Sequence, residues 1–163
     1  MQKIKAQHVT PENFKAFGKV ISVAAKSQPD TQSDIQTFYG QLALMECHGS
    51  IEFGVCVAKN RAFVVDTLEQ HAETAELLAA LRGDFITPVT TSVMIDGKEY
   101  PDMEQIVAVR VNQGEGVVFD KGIWHWTPYA VTESCDVLVA FKTDTPKNDF
   151  IASNLSNEII IES

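Results

Sequence analysis

Four side chains carry the chemistry this sequence offers: Glu69, His71 and Glu76 in the run Glu69-Gln-His-Ala-Glu-Thr-Ala-Glu76, and His125 at the end of Gly122-Ile-Trp-His125. Imidazole nitrogens and carboxylate oxygens suit a divalent metal such as Ni, Mn, Fe or Zn and leave positions open for a substrate. Glu69 and His71 stand two apart, which on a strand puts both on one face. Singly, each has an ordinary reading, as solvated carboxylates for Glu69 and Glu76 and hydrogen-bonded polar residues for His71 and His125. Falling jointly on two glycine-punctuated registers, Glu69-x-His71-x4-Glu76-x6-Gly83 and Gly114-x5-Asp120-x-Gly122-x2-His125, they favour one shared site.

Such a site needs strands to hold it. From about Gln36 onward the chain reads as short strands rich in Val, Ile, Phe, Tyr and Thr, at 36–47, 51–58, 62–68, 85–95, 106–111, 117–119, 124–131 and 136–142. Turn residues break the runs at His48-Gly49-Ser50, Asp96-Gly97, Asn112-Gln113-Gly114 and Lys121-Gly122, and Asp96-Gly97 predicts a hairpin. Ahead of them, Thr10-Pro11-Glu12 predicts a brief helix with Thr as N-cap, ending near Gly18. Residues 1–8 could add an edge strand, 20–22 another strand, and 24–34 form a polar loop able to lie over a site. The pattern is all-β, a sandwich or small barrel with one short N-terminal helix. Residues 72–82 carry opposed signals: they are strong helix formers closed by Gly83, whereas the ligand spacing needs Glu76 to begin a strand.

At 163 residues the chain fits one domain, 1–163, large enough to bury a core without disulfides. Apolar residues at 45% and charged residues at 21% are ordinary globular usage. A net charge of −9 without any basic cluster argues against nucleic acid as a partner. No run approaches the ~18 apolar residues of a membrane span, so no membrane association is expected. Cys47, Cys56 and Cys135 form no C-x-x-C pair and read as reduced, buried small hydrophobes of a cytoplasmic protein.

The two registers resemble the two motifs of cupins, G-x5-H-x-H-x(3,4)-E-x6-G and G-x5-P-x-G-x2-H, with Glu69 at the first histidine position and Asp120 at the proline. That resemblance implies a cupin-like antiparallel β-barrel (jelly roll or double-stranded β-helix) and a metal held by Glu69, His71, Glu76 and His125. Over most of its length the chain is further similar to the ureidoglycolate lyase family. The matching phrases are Phe14-Lys-Ala-Phe-Gly-Lys-Val-Ile21, Leu42-Ala-Leu-Met-Glu46, Leu68-Glu-Gln-His71, Gly116-Val-Val-Phe-Asp-Lys-Gly-Ile-Trp-His125 and Asp136-Val-Leu-Val-Ala-Phe-Lys142 followed by Asn148-Asp149. The family also carries a glutamate at the first ligand position. It differs at Gln70, Ala72, Glu76 and Trp126, where it commonly has Arg, Pro, Gln and a second His.

This second resemblance implies cleavage of ureidoglycolate to glyoxylate and urea, in allantoin and purine breakdown, by a cytoplasmic homodimer acting on a small-molecule carboxylate. Glu69 is then the proton relay and Lys121 the carboxylate clamp, with Lys121, Trp124, Trp126 and Tyr129 around the substrate or, for the aromatic residues, in the core. The competing expectation is a cupin that binds or senses a small hydroxy acid or sugar, or a different metal-dependent cupin enzyme.

Overall fold

Alternating apolar residues in most of the expected runs do pair as strands. The structure, a computed structural model, describes residues 2–163. Strands account for 53% of it and helix for 7%, and six strands close into a barrel, as the cupin-like expectation requires. Around the barrel run Val107–Val111, Gln2–His8, Ile151–Glu162, Val64–Gln70, Trp124–His125 and Phe85–Thr90, and the last pairs with the first. Tyr129–Ala130 adds to Phe85–Thr90. A second, five-stranded antiparallel sheet has the order Gly18–Ile21, Gly116–Phe119, Glu76–Arg82, Ser134–Lys142 and Ile51–Lys59.

The two sheets share one core. Leu78, Ala80, Val117, Phe119 and Val137 from the five-stranded sheet meet Phe85, Val89, Val109 and Val111 from the barrel. A second cluster, including Leu68, Ile86, Trp124, Tyr129 and Ile159, comes from the barrel strands themselves. The short helix Pro11–Phe14 starts as expected: Thr10 Oγ1 accepts from Asn13 N at 3.2 Å and Asn13 Oδ1 accepts from Thr10 N at 2.8 Å. Its Phe14 is fully buried with its ring 5.7 Å from that of Phe119, so the helix caps the core under the site.

Residues 72–82 resolve in favour of a strand. Glu76–Arg82 pairs with both Gly116–Phe119 and Ser134–Lys142, and its inward residues Leu78 and Ala80 are 2% and 3% exposed. Burial between two neighbours outweighs the small helix preference of Ala and Leu. Gly83, expected as a helix cap, instead turns the chain after that strand with φ +74°. The hairpin at Asp96-Gly97 is present, joining Ser92–Ile95 to Lys98–Pro101 with φ values of +50° and +76° at the turn.

Other expectations need correction. Residues 36–47 are not a continuous strand: Thr37–Phe38 pairs with Thr31–Gln32, the rest of the segment joins no ladder, and Leu44 is 84% exposed. The run 85–95 is two strands, and 124–131 is two strand fragments of two residues each. The N-terminal Gln2–His8 is no edge strand; it lies inside the barrel order and pairs parallel with both neighbours, so the barrel is not purely antiparallel. The longest strand, Ile151–Glu162, has no counterpart among the expected runs. No helix is long and apolar enough to cross a membrane among the described residues.

Candidate metal centre

Each candidate ligand is fixed by the strand that carries it. Glu69, near the end of Val64–Gln70, lies directly opposite His125 in the barrel register, and Glu76, at the start of Glu76–Arg82, lies opposite Phe119 in the other sheet. The site therefore sits where the two sheets face each other. Trp124 and His125 are neighbours on a strand and point to opposite faces. Trp124 enters the barrel cluster, while the His125 ring stacks on Phe119 with centroids 4.4 Å apart and planes 11° apart. His71 follows directly after its strand. Its carbonyl accepts from Gly122 N at 2.7 Å, tying the two registers together at the glycine turn.

Glu69, His71 and His125 bring ligand atoms within 4.8 Å of one another. Glu76 joins them through the imidazoles, with Oε2 2.8 Å from His125 Nε2 and 3.3 Å from His71 Nε2. Three are well removed from solvent, His125 at 3% exposed, His71 at 6% and Glu76 at 7%, while Glu69 is half-buried. Both imidazoles are oriented through Nδ1, which donates to Asp149 O at 2.6 Å in His71 and to Ile123 O at 3.0 Å in His125. A carbonyl only accepts, so Nδ1 carries a proton, and in the neutral ring each Nε2 presents a lone pair to the centre.

The 2.8 Å approach of Glu76 Oε2 to His125 Nε2 is then a meeting of two acceptors, and both atoms are buried without a hydrogen-bond partner. Two buried acceptors at that distance call for a cation, which a proton on Nε2 supplies in the metal-free protein and a divalent metal ion can replace. The charges agree. Burial pushes the Glu76 carboxyl up, but His125 and His71, when a proton on Nε2 lets them hydrogen-bond to it, outweigh burial and hold it at about 2, so it stays ionised. Burial raises Glu69, with the neighbouring Glu76 adding to the effect, which makes it the more readily protonated carboxylate. For His71, burial pulls the pKa down and Glu76 pulls it up, and the net direction is up.

Beside the ligands is a cavity of about 120 Å³, lined by Glu69, Glu76, His125 and Trp126 with Cys56 and Thr127 among its other walls. Of the expected pocket residues, Trp126 is there. Trp124 and Tyr129 are not: they are about 1% exposed in the barrel cluster, with Trp124 Nε1 donating to Ser92 Oγ at 3.0 Å and the Tyr129 hydroxyl to Val64 O at 2.6 Å. Lys121 also lies outside this cavity. It is exposed and lines a separate one of about 260 Å³ with His48, Glu73, Thr74 and Lys142, across the turn that follows His71.

Two residues escaped the sequence reading. Cys56 is half-buried on the cavity wall rather than packed away, and burial raises its thiol. Its position opposite Val137, two residues from cavity-lining Val139 and so on the same face, becomes visible only once strands 51–59 and 134–142 are paired. Asp149 accepts three backbone hydrogen bonds from residues 72–74. Its signal was the Asn148-Asp149 phrase, which carried no chemistry on its own.

A family model described as ureidoglycolate lyase matches residues 1–162. No curated protein sequence matches the chain. Among solved structures, the oxalate decarboxylase of Bacillus subtilis, described for its Mn(II) centres, is 16% identical with a TM-score of 0.44 over 66% of this chain and 24% of that one. The Lactobacillus farciminis oxalate decarboxylase formate complex is 14% identical with a TM-score of 0.45 over 66% of this chain and 27% of that one. This chain spans about a quarter of the length of those solved chains. With the family model matched from its first residue to its penultimate one, the chain belongs to the ureidoglycolate lyase family.

Proposed function

We propose that the protein is a metal-assisted ureidoglycolate lyase, cleaving the C–N bond of ureidoglycolate to give glyoxylate and urea. The observation that carries this reading is the convergence of two Nε2 lone pairs and an ionised, unpartnered Glu76 on one point beside a cavity, in a chain of this family. A divalent ion (Ni, Mn, Fe or Zn) held by Glu69, His71, Glu76 and His125 supplies Lewis acidity toward the substrate hydroxyl. Glu69, on the cavity wall, is the proton carrier in this reading, accepting the hydroxyl proton and releasing it again. As the hydroxyl proton leaves, the O–H electron pair becomes the aldehyde C=O bond, the C–N bond breaks, and the urea nitrogen takes the proton back from Glu69. Buried His71 and His125 keep their geometry throughout, since their Nδ1 hydrogen bonds run to the main chain.

Lys121 is the clamp for the substrate carboxylate in this reading, although it lines the separate cavity beside residues 72–74. Lys121→Ala then raises KM and leaves metal affinity unchanged. One observation favours a binding or sensing role instead: among the described residues, no cationic side chain lines the cavity beside the ligands. Glyoxylate release from ureidoglycolate by chelated protein, with and without added divalent metal, separates the two. Turnover restored by metal in wild type but not in His71→Ala supports the lyase. A metal- and ligand-dependent melting shift without turnover supports the binding role and refutes the lyase.

A homodimer is part of the proposal. Ile51–Lys59 is an edge strand whose Phe53, Val55 and Val57 are 69%, 57% and 56% exposed on one face, an apolar row suited to a second copy of this chain. Sedimentation of wild type and Phe53→Ser tests it, and a monomeric wild type refutes it. Cytoplasmic location and a place in allantoin degradation accompany the lyase reading.

A further inference from the structure

His71 and His125 are oriented by different means. His125 is held by its own strand, through the carbonyl two residues earlier, but His71 is held by Asp149, 78 residues away. Asp149 meets the His71 turn with two groups at once. Its carbonyl oxygen accepts from His71 Nδ1 at 2.6 Å, and its carboxylate accepts from Ala72 N and Glu73 N at 2.8 Å each and from Thr74 N at 3.2 Å. Residues 71–75 leave the barrel strand and belong to no ladder until Glu76, so these amides have no sheet partners. A carboxylate is the side chain that satisfies three such donors, by charge-assisted bonds.

The geometry points to Asp149 as a positioning residue for metal binding: its carboxylate pins the 72–74 turn so that its own carbonyl fixes His71 in the Nδ1–H tautomer with Nε2 turned to the centre. The inference rests on the metal-site reading of the proposed function. Further contacts hold Asp149 itself. Its amide donates to Thr145 O at 2.9 Å, closing the short helix Thr145–Asn148, and Lys142 N donates to Thr74 Oγ1 at 3.2 Å, so the C-terminal end of strand 134–142 and the His71 turn move as one unit. The His71 ring has Phe141 and Phe150 centroids 6.2 and 6.4 Å away, side chains that offer no alternative hydrogen-bond acceptor. Loss of the carboxylate frees the turn, the carbonyl shifts, and His71 samples the tautomer whose Nε2 is protonated and cannot bind a cation. Asparagine is a partial replacement, since its NH₂ group faces amide donors with a donor.

The test uses full-length wild type, Asp149→Ala, Asp149→Asn, His71→Ala and the His71→Ala/Asp149→Ala double variant. Imidazole ¹⁵N NMR of chelated protein at about pH 9, above the ordinary imidazole range, reads the His71 tautomer, and titration with Co(II) alone reads affinity through its absorption bands. Wild type should show a single Nδ1–H tautomer; Asp149→Ala should show a mixture and bind Co(II) about 10–100-fold more weakly, with Asp149→Asn between them. In the His71→Ala background the Asp149 substitution should have no further effect, which a role in stability alone would not produce. The inference is overturned if the tautomer and Kd of Asp149→Ala match wild type within about twofold, or if its loss of affinity persists in full without His71. If Asp149→Ala does not fold, Asp149→Asn decides by the same two readings. Should wild type bind no Co(II), the metal reading fails alone, and the tautomer comparison still decides the role of Asp149.

Discussion

With the imidazoles neutral, replacing Glu76 by Gln should make the metal-free protein more stable while abolishing its response to metal. In wild type, Glu76 Oε2 and His125 Nε2 are buried, 2.8 Å apart and unpartnered. A buried unsatisfied acceptor costs about 1–3 kcal/mol. Gln keeps the shape of the side chain, carries no charge, and can donate from its amide to the His125 lone pair, a bond worth about 1 kcal/mol. The expected gain is at least that, or about 2–4 °C in Tm for a domain of this size. Metal acts in the opposite sense. At a hundredfold excess over Kd, an ion that binds only the folded state stabilises wild type by about 2.7 kcal/mol, a rise of ~5–11 °C, and Glu76→Gln forfeits most of it. The assay is thermal unfolding of both proteins at about pH 9, above the ordinary imidazole range, with EDTA and then with Co(II). If Glu76→Gln instead melts several degrees below wild type in EDTA, Glu76 is one half of a structural ion pair, and the acceptor-pair argument is refuted.

Three further outcomes follow from the packing and charges. Phe119 is 1% exposed and carries the His125 stack, so Phe119→Ala should cost about 3–5 kcal/mol in urea unfolding and weaken Co(II) binding besides; a loss under about 1 kcal/mol would contradict the packing. At Gly18, φ is +149° and an added Cβ would fall 1.8 Å from Val118 O, so Gly18→Ala should destabilise by about 3 kcal/mol, measured the same way. Acid should weaken the fold away from the metal centre. The Arg110 guanidinium lowers Asp84 from 3.8, and Glu115, although burial pushes it up, is held below 4.5 by bonds from His8, Asn112 N and Ser22. Groups depressed on folding contribute stability above their unfolded values and lose it as pH falls through the folded ones. The urea midpoint should therefore drop below about pH 4.5, less steeply in Glu115→Gln, and parallel curves for the two proteins would remove Glu115 as a source.

How far the site could be read from the sequence depended on whether a residue's neighbours are local. Glu69, His71 and His125 were legible because period-two spacing and glycine turns are local facts, and the barrel brings those three together as the spacing implied. Glu76 stood in a segment whose local signal was helical, and only its pairing with strands 116–119 and 134–142 decides the matter. Trp124 and Tyr129 were drawn toward the pocket by nearness to His125 in sequence, although on a strand an adjacent residue faces the other way. The longest strand, Ile151–Glu162, was missed because Asn154-Leu-Ser-Asn-Glu158 is polar and mostly exposed, so it shows no apolar alternation over half its length. It is nevertheless the strand that places Ala152 opposite Glu69 and begins two residues after Asp149. The same polar segment thus lies beside the candidate metal centre, since its strand starts two residues past the carbonyl that accepts from His71 Nδ1.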